Sequence, residues 1–400
     1  MTRLAKRLSI VHPSASIEIS GRAAKMRAEG VDVISLSQGE PDFDTPAVIR
    51  KAAKAALDAG ETRYTHVDGT LALKQAVIEK FRRDNGLKYR VDEISVGAGG
   101  KQVIFNALMA LVDPGDEVIF AAPYWVSYPD MVRLTGGIPV AVACPAESGF
   151  KLTPERLMGA ITSRTRVLIL NSPGNPSGAG YTRDELEALA AVLSRHPDIF
   201  VLTDDIYEYL VYDDFEFCTL AQVEPKMKLR TLTINGVSKG HAMTGWRIGF
   251  GGGPAELIQA MAVIQSQTTS NPASVSQAAA VAALTQPLDV IQARNAVFAE
   301  RRILCAEAIS AIDGLVCRLP EGAFYLFPNC EALLGRETPE SMRVEDDQAL
   351  ARYLLESARV AVVPGSAFGL PGHFRMSFAS DTERLLEACR RVREACEALR

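Results

Sequence analysis

An α/β fold is predicted for this chain, with a mostly parallel sheet in a large unit and a smaller α+β unit beside it. Three observations predict it. Short, wholly apolar runs alternate with helical patterns through the middle of the chain, as strands covered on both faces require. Polar clusters fall at the carboxyl ends of those runs, where open α/β sheets bind ligands. Beyond about residue 290 the alternation stops, and a long charged helix precedes short strands.

In order, 93–96 reads as a strand leading through a glycine turn at 97–100 into a helix at 101–111. A turn at 113–116 separates it from a strand at 117–120. The apolar run 167–170 ends at a Pro/Gly-rich loop, 171–178, and a helix follows at 183–194. The run 200–203 leads directly to Asp204, and 231–235 leads to Ser238 and Lys239. The second unit has a helix at 293–311, strands at 322–327, 360–364 and 373–378, and a final helix at 382–399. The expected division is 46–288 for the large unit, with 1–45 and 289–400 forming the small one.

Composition narrows the function. The chain has 400 residues, 48% of them hydrophobic and 23% charged, which is enough for a sizeable core and two units. The net charge of −5 comes without a basic stripe, so nucleic acid is not the expected partner. Residues 1–13 lack the apolar centre of a secretory signal, and no run is long and apolar enough to cross a membrane. The seven cysteines are scattered, without a Cys-x-x-Cys spacing, which predicts packing thiols in a reducing cytoplasm rather than disulfides or zinc. Cys389 and Cys396 fall on the apolar face of the final helix. The five histidines are too far apart for metal-ligand spacing, and most are expected on the surface or at caps.

The most informative residue is Lys239. It ends a strand, a glycine-rich turn follows, and Arg247 lies eight residues on. A lysine attacks a carbonyl only when neutral, and burial can make it so. Arginine is a permanent cation suited to phosphate. A Schiff-base lysine beside a phosphate clamp is what pyridoxal 5′-phosphate requires, whereas a surface lysine in a loop is the plain alternative. Asp204 could hold a pyridinium nitrogen protonated, with Tyr207 donating to the ring oxygen; a helix N-cap is the alternative. Asn175 in the 171–178 loop could donate to a ring oxygen or a carboxylate. Gly99 and Gly100 open a helix with bare N–H groups suited to phosphate, without the spacing of a nucleotide P-loop. Trp125 could stack on a flat ring or fill the core. Arg375, inside an alternating strand, could grip a carboxylate or form a surface ion pair. Tyr64 gives a weaker signal. The triplet Gly251-Gly252-Gly253 follows a strand but lacks the context of a dinucleotide site.

The run from Lys239 to Gly249 resembles the pyridoxal-phosphate attachment signature of class I aminotransferases. The resemblance extends over nearly the whole chain through 37–46, 99–102, 122–128, 171–178, 204–207, 320–325 and 374–377. Within that class the chain is most similar to the bacterial aspartate aminotransferases of the subgroup shared by Thermus and rhizobia. The resemblance implies the type I fold of pyridoxal-phosphate transferases, a homodimer, and ping-pong transamination between an L-amino acid, best matched by L-aspartate, and 2-oxoglutarate by way of pyridoxamine phosphate. An aromatic or prephenate aminotransferase and a β-eliminating carbon–sulfur lyase use the same scaffold. It implies that Lys239 carries the cofactor and moves the proton, Asp204 holds the ring nitrogen, and Tyr207 and Asn175 bond the ring oxygen. Trp125 would stack on the ring, while Gly99, Gly100, Lys101, Ser238, Arg247 and the partner subunit's Tyr64 would hold the phosphate. Arg375 would bind the substrate α-carboxylate with Gly39, Asn175 and Trp125, and the side chain of Lys101 would meet a distal carboxylate. Ser14 and Ser16 would help close the pocket. The chain departs from the resembled pattern at His66, Gly240-His241, Asn271-Pro272 and Gln277-Ala278, positions expected near the site.

Overall fold

Seven strands form the central sheet of the computed structural model, which describes residues 4–11 and 15–400. They are β1 (Ile94–Gly97), β2 (Glu117–Ala122), β3 (Ile138–Ala143), β4 (Thr165–Asn171), β5 (Phe200–Asp204), β6 (Thr231–Gly236) and β7 (Gly249–Gly252). Their order across the sheet is β1-β7-β6-β5-β4-β2-β3. β3, β2, β4, β5 and β6 pair in parallel, and β7 runs antiparallel to both β6 and β1. The central strands are apolar on both faces because both faces are covered. Val103, Ile104 and Leu108 of the helix Gly100–Leu111 pack with Ile258 and Met261 of Ala255–Thr268 on one side. Leu186, Leu189 and Leu193 of Arg183–Leu193 cover the other. Each such buried side chain contributes about 1.5–3 kcal/mol.

The glycine triplet differs from its sequence reading. Gly251 and Gly252 do not follow a strand; they lie within β7. Glycine's low strand propensity concealed this, and close packing explains it. A Cβ on Gly252 would stand 2.6 Å from the Tyr89 ring, and one on Gly249 would stand 2.1 Å from the backbone nitrogen of Gly100. β7 thus presses directly on the glycine turn that opens the helix Gly100–Leu111.

Residues beyond 289 build a further apolar cluster, which Ile34, Leu36, Tyr207, Leu210 and Tyr212 join. Helices Asp289–Ser310 and Thr382–Glu397 cover Phe298, Phe324, Leu350 and Phe378, with Cys389 and Cys396 packed among them. Strands Val363–Pro364, Phe374–Ser377 and Tyr325–Leu326 form an antiparallel sheet. The chain's early strand Ile34–Ser35 pairs in parallel with Val360–Ala361. This sheet aims Tyr325 and Arg375 at the carboxyl ends of β4–β6. The histidine expectation fails at two positions: His241 and His373 are buried, each against aromatic rings. His12, Ser14 and the side chain of Ser16 lie outside the described residues.

Replacing Gly249 by Ala should destabilise the protein by about 1–3 kcal/mol, because the atoms it meets are backbone and cannot swing aside. An unchanged urea midpoint would contradict the packing described.

Candidate active site

A cavity of about 680 Å³ opens where β1, β4, β5 and β6 end and the second region closes over them. Lys239 stands in its floor. Its Nζ donates to the Gly39 carbonyl and lies 5.9 Å from the ring centroids of both Tyr207 and Phe324. Burial lowers the Lys239 pKa to about 8, helped by the Arg375 and Arg247 charges and opposed by Glu40 and Asp204. An amine with that pKa keeps a neutral fraction of roughly one in five near pH 7.4, far more than an ordinary lysine, so it can act as nucleophile or base.

Asp204 lies at the end of β5, and no helix follows it, so the N-cap alternative does not hold. Its Oδ2 accepts from the Tyr128 hydroxyl at 2.7 Å, and its backbone carbonyl accepts from Asn171 Nδ2 at 2.7 Å. Burial raises the Asp204 pKa to about 6, against the opposing Tyr128 bond. A cationic ring nitrogen beside it would favour the ionised form. The Tyr207 and Tyr325 hydroxyls bond each other at 2.8 Å, which fixes both rings.

Arg375 is buried rather than part of a surface pair. Its Nη1 donates to Asn175 Oδ1 at 2.8 Å and its Nη2 to the Ser37 carbonyl at 2.5 Å. Its guanidinium lies 4.5 Å from the Tyr325 ring centroid, and Nε has no partner among the described residues. A buried cation without a carboxylate is costly, and an incoming carboxylate relieves that cost. Asn175 is itself placed by its backbone N–H, which donates to Asn171 Oδ1 at 2.9 Å. Since Asn175 Oδ1 is taken by Arg375, its amide nitrogen remains to donate.

The anion cradle is made of backbone. Gly99 takes φ 89°, and the helix Gly100–Leu111 starts immediately after it. Arg247, held at φ 57°, donates to the Thr244 carbonyl at 2.8 Å and the Ala98 carbonyl at 3.3 Å. A Cβ on Gly99 would lie 2.2 Å from Arg247 Nη2 and would push the guanidinium from this position. Free N–H groups at a helix start, a guanidinium and Ser238 together suit a phosphate. Half-buried Trp125 forms a wall and meets Tyr128 edge-on at 5.4 Å. The Lys101 ammonium lies 4.8 Å from the Trp125 ring centroid, and desolvation and then Arg247 lower its pKa. With a carboxylate for the ring nitrogen, a hydroxyl and an amide for the ring oxygen, a flat wall and a phosphate cradle around one lysine, these residues fit pyridoxal phosphate.

Thus Gly39, Gly100, Lys101, Trp125, Asn175, Asp204, Tyr207, Ser238, Lys239, Arg247 and Arg375 line one cavity. Gly99 stands behind it against Arg247. Tyr64 does not line it and is 91% exposed. The positions expected near the site also lie elsewhere: His66, His241, Asn271 and Gln277 are outside the cavity lining. Gln277 instead ties Thr65 and Thr70 to the Pro272 carbonyl. Sequence reasoning missed Tyr128, Asn171 and Tyr325 as site residues, although all three lie in runs that resemble the aminotransferase pattern.

A family described as aminotransferase class I and II matches residues 31–392. The aspartate aminotransferase of Rhizobium meliloti strain 1021 is 55% identical over 395 residues, covering 99% of this chain and 96% of the relative. The aspartate/prephenate aminotransferase of Cereibacter sphaeroides is 53% identical over 399 residues, covering 100% of both. Among solved structures, the Rhizobium meliloti aspartate aminotransferase superposes with a TM-score of 0.97 at 54% identity, covering 100% of both chains. The Thermus thermophilus aspartate aminotransferase with maleate gives 0.92 at 42% identity, covering 99% of this chain and 100% of that one.

In the cofactor-free protein, acylation of Lys239 by an amine-reactive probe should rise through a midpoint near pH 8, the pKa that burial imposes. Digestion and mass spectrometry would report it, and a midpoint near the ordinary lysine value of about 10.4 would contradict the burial described.

Proposed function

The chain belongs to the class I and II aminotransferases, and from that premise we propose that it transfers the amino group of L-aspartate to 2-oxoglutarate. It is a pyridoxal-phosphate enzyme. The observation that carries the substrate reading is the pair of cations, Arg375 buried in one wall and Lys101 on Trp125, lining the cavity that holds Lys239. They match the two carboxylates of an acidic amino acid. The full-length relatives named aspartate aminotransferase support the same reading.

When bound, the cofactor supplies an electron sink and a temporary home for the amino group. The chain does the rest. Gly100 N–H, Ser238 and Arg247 hold the phosphate. Asp204, kept in place by Tyr128 and Asn171, keeps the ring nitrogen protonated. Tyr207 and the free amide of Asn175 would donate to the ring oxygen, and Trp125 would cover the ring. Arg375 grips the α-carboxylate with two guanidinium donors, which orients the Cα–H bond. Lys239 Nζ would hold and move the α-proton as general base and its conjugate acid.

Residues 46–288 act as the cofactor unit, and 1–45 with 289–400 close over the substrate. The enzyme works as a cytoplasmic homodimer in which exposed Tyr64 reaches the cavity of a second copy. A second reading, prephenate as an additional acceptor, is favoured by the Cereibacter sphaeroides relative, which carries that name at full length.

Purified enzyme with pyridoxal phosphate should convert aspartate and 2-oxoglutarate to oxaloacetate and glutamate, and Lys239→Ala should abolish this. Arg375→Lys should raise the KM for aspartate roughly 10–100-fold, the loss expected for a charge-assisted bond of about 1.5–3 kcal/mol. Lys101→Met should weaken aspartate far more than alanine; an equal effect on both would overturn the distal-carboxylate role.

A further inference from the structure

The Gly240-His241 departure finds its reason behind the lysine loop, in a buried cluster that the proposed chemistry leaves unused. We propose that Tyr209 is a positioning residue for Lys239, its ring anchored by Asp84 serving as the surface on which the backbone following the lysine is laid. The Tyr209 hydroxyl donates to Asp84 Oδ2 at 2.5 Å. Its ring lies so close to Gly240 that a Cβ there would stand 2.9 Å from Tyr209 Cδ2. The His241 ring meets the same tyrosine edge-on at 5.7 Å. Glycine at 240 and a ring at 241 therefore both follow from one neighbour. The other side of the loop is fixed as well, since Thr45 Oγ1 donates to the Ala242 carbonyl at 2.6 Å.

The anchor itself is rigid. Asp84 pairs with Arg83 at 2.6 Å and stands 3.8 Å from Lys80 Nζ. Lys80 is fully buried, pairs with Glu208, the residue before Tyr209, and donates to Asn85 Oδ1 at 2.7 Å. Asn85 Nδ2 returns a bond to Glu208 Oε2 at 3.1 Å. The segment carrying Tyr207 and Tyr209 is thereby bonded at both residues 208 and 209 to the end of the helix Leu71–Asn85. Burial and Lys80 hold the His241 imidazole neutral, its pKa lowered to about 4, so the loop gains no further charge from it. Gly240, laid on the Tyr209 ring, is one peptide unit from Lys239. A looser loop admits water to the amine and weakens the desolvation that lowers its pKa.

This rests on Lys239 being the reactive amine, and the test separates the two. In cofactor-free protein the pH midpoint of Lys239 acylation would be measured for the parent chain, Tyr209→Phe, Gly240→Ala and Asp84→Asn, alongside thermal unfolding. Tyr209→Phe keeps the ring and loses the anchor; Gly240→Ala pushes the loop off the ring. Both should move the midpoint upward, toward an ordinary lysine, and both should weaken pyridoxal phosphate binding followed by absorbance. Asp84→Asn keeps an acceptor for the phenol and should stay near the parent value. If the first two variants lose thermal stability yet keep the parent midpoint, Tyr209 is merely a packing residue and the proposal is overturned. Borohydride reduction of the parent chain with pyridoxal phosphate reports separately on the underlying reading: a label on another lysine would refute the role of Lys239 itself.

Discussion

The rest of the site is arranged around one buried lysine whose proton is held loosely among cations. Arg375 and Arg247 are permanent cations that face Lys239, and both depress its proton affinity, as burial does. Asp204 and Glu40 act in the opposite sense and limit the effect. The same cations that suit a phosphate and a carboxylate therefore also lower the pKa of the amine between them. The arrangement is economical, because one set of charges serves binding and reactivity together.

That constraint reaches far into the fold. A strap at 37–45 touches each part of the site in turn. Its Ser37 carbonyl accepts from Arg375, its Gly39 carbonyl from Lys239, and Glu40 accepts from the Thr244 hydroxyl. Asp42 pairs with Arg301 of the long helix at 2.9 Å, and Thr45 accepts from Trp246 at 3.0 Å. A segment early in the chain thus joins Arg375, Lys239 and the loop that leads to Arg247. The parallel strands supply the floor, and the antiparallel β7 sets the glycine turn against which Arg247 closes.

Much of this was legible in the sequence because apolar runs end in the residues that matter. β5 ends at Asp204, and β6 leads to Ser238 and Lys239, so strand assignment and site assignment reinforce each other. Arg375 was legible as a cation inside an alternating strand. Other features had no local signal. The helix Ser274–Thr285 is rich in alanine and lacks a contrast between faces. β7 is nearly all glycine. The partner of Asp204 is Tyr128, 76 residues away, and the partner of Tyr207 is Tyr325, 118 residues away, distances that only folding brings together. His241 was expected near the site; it packs against Tyr209, and neither lines the cavity.

The most direct test of the account is a single half-reaction. Enzyme loaded with pyridoxal phosphate would be mixed with excess aspartate and no oxo acid, and the released acids quantified. One equivalent of oxaloacetate per chain, followed by arrest until 2-oxoglutarate is added, is the predicted result. Continuous release of pyruvate, or no reaction with aspartate at any concentration, would contradict it.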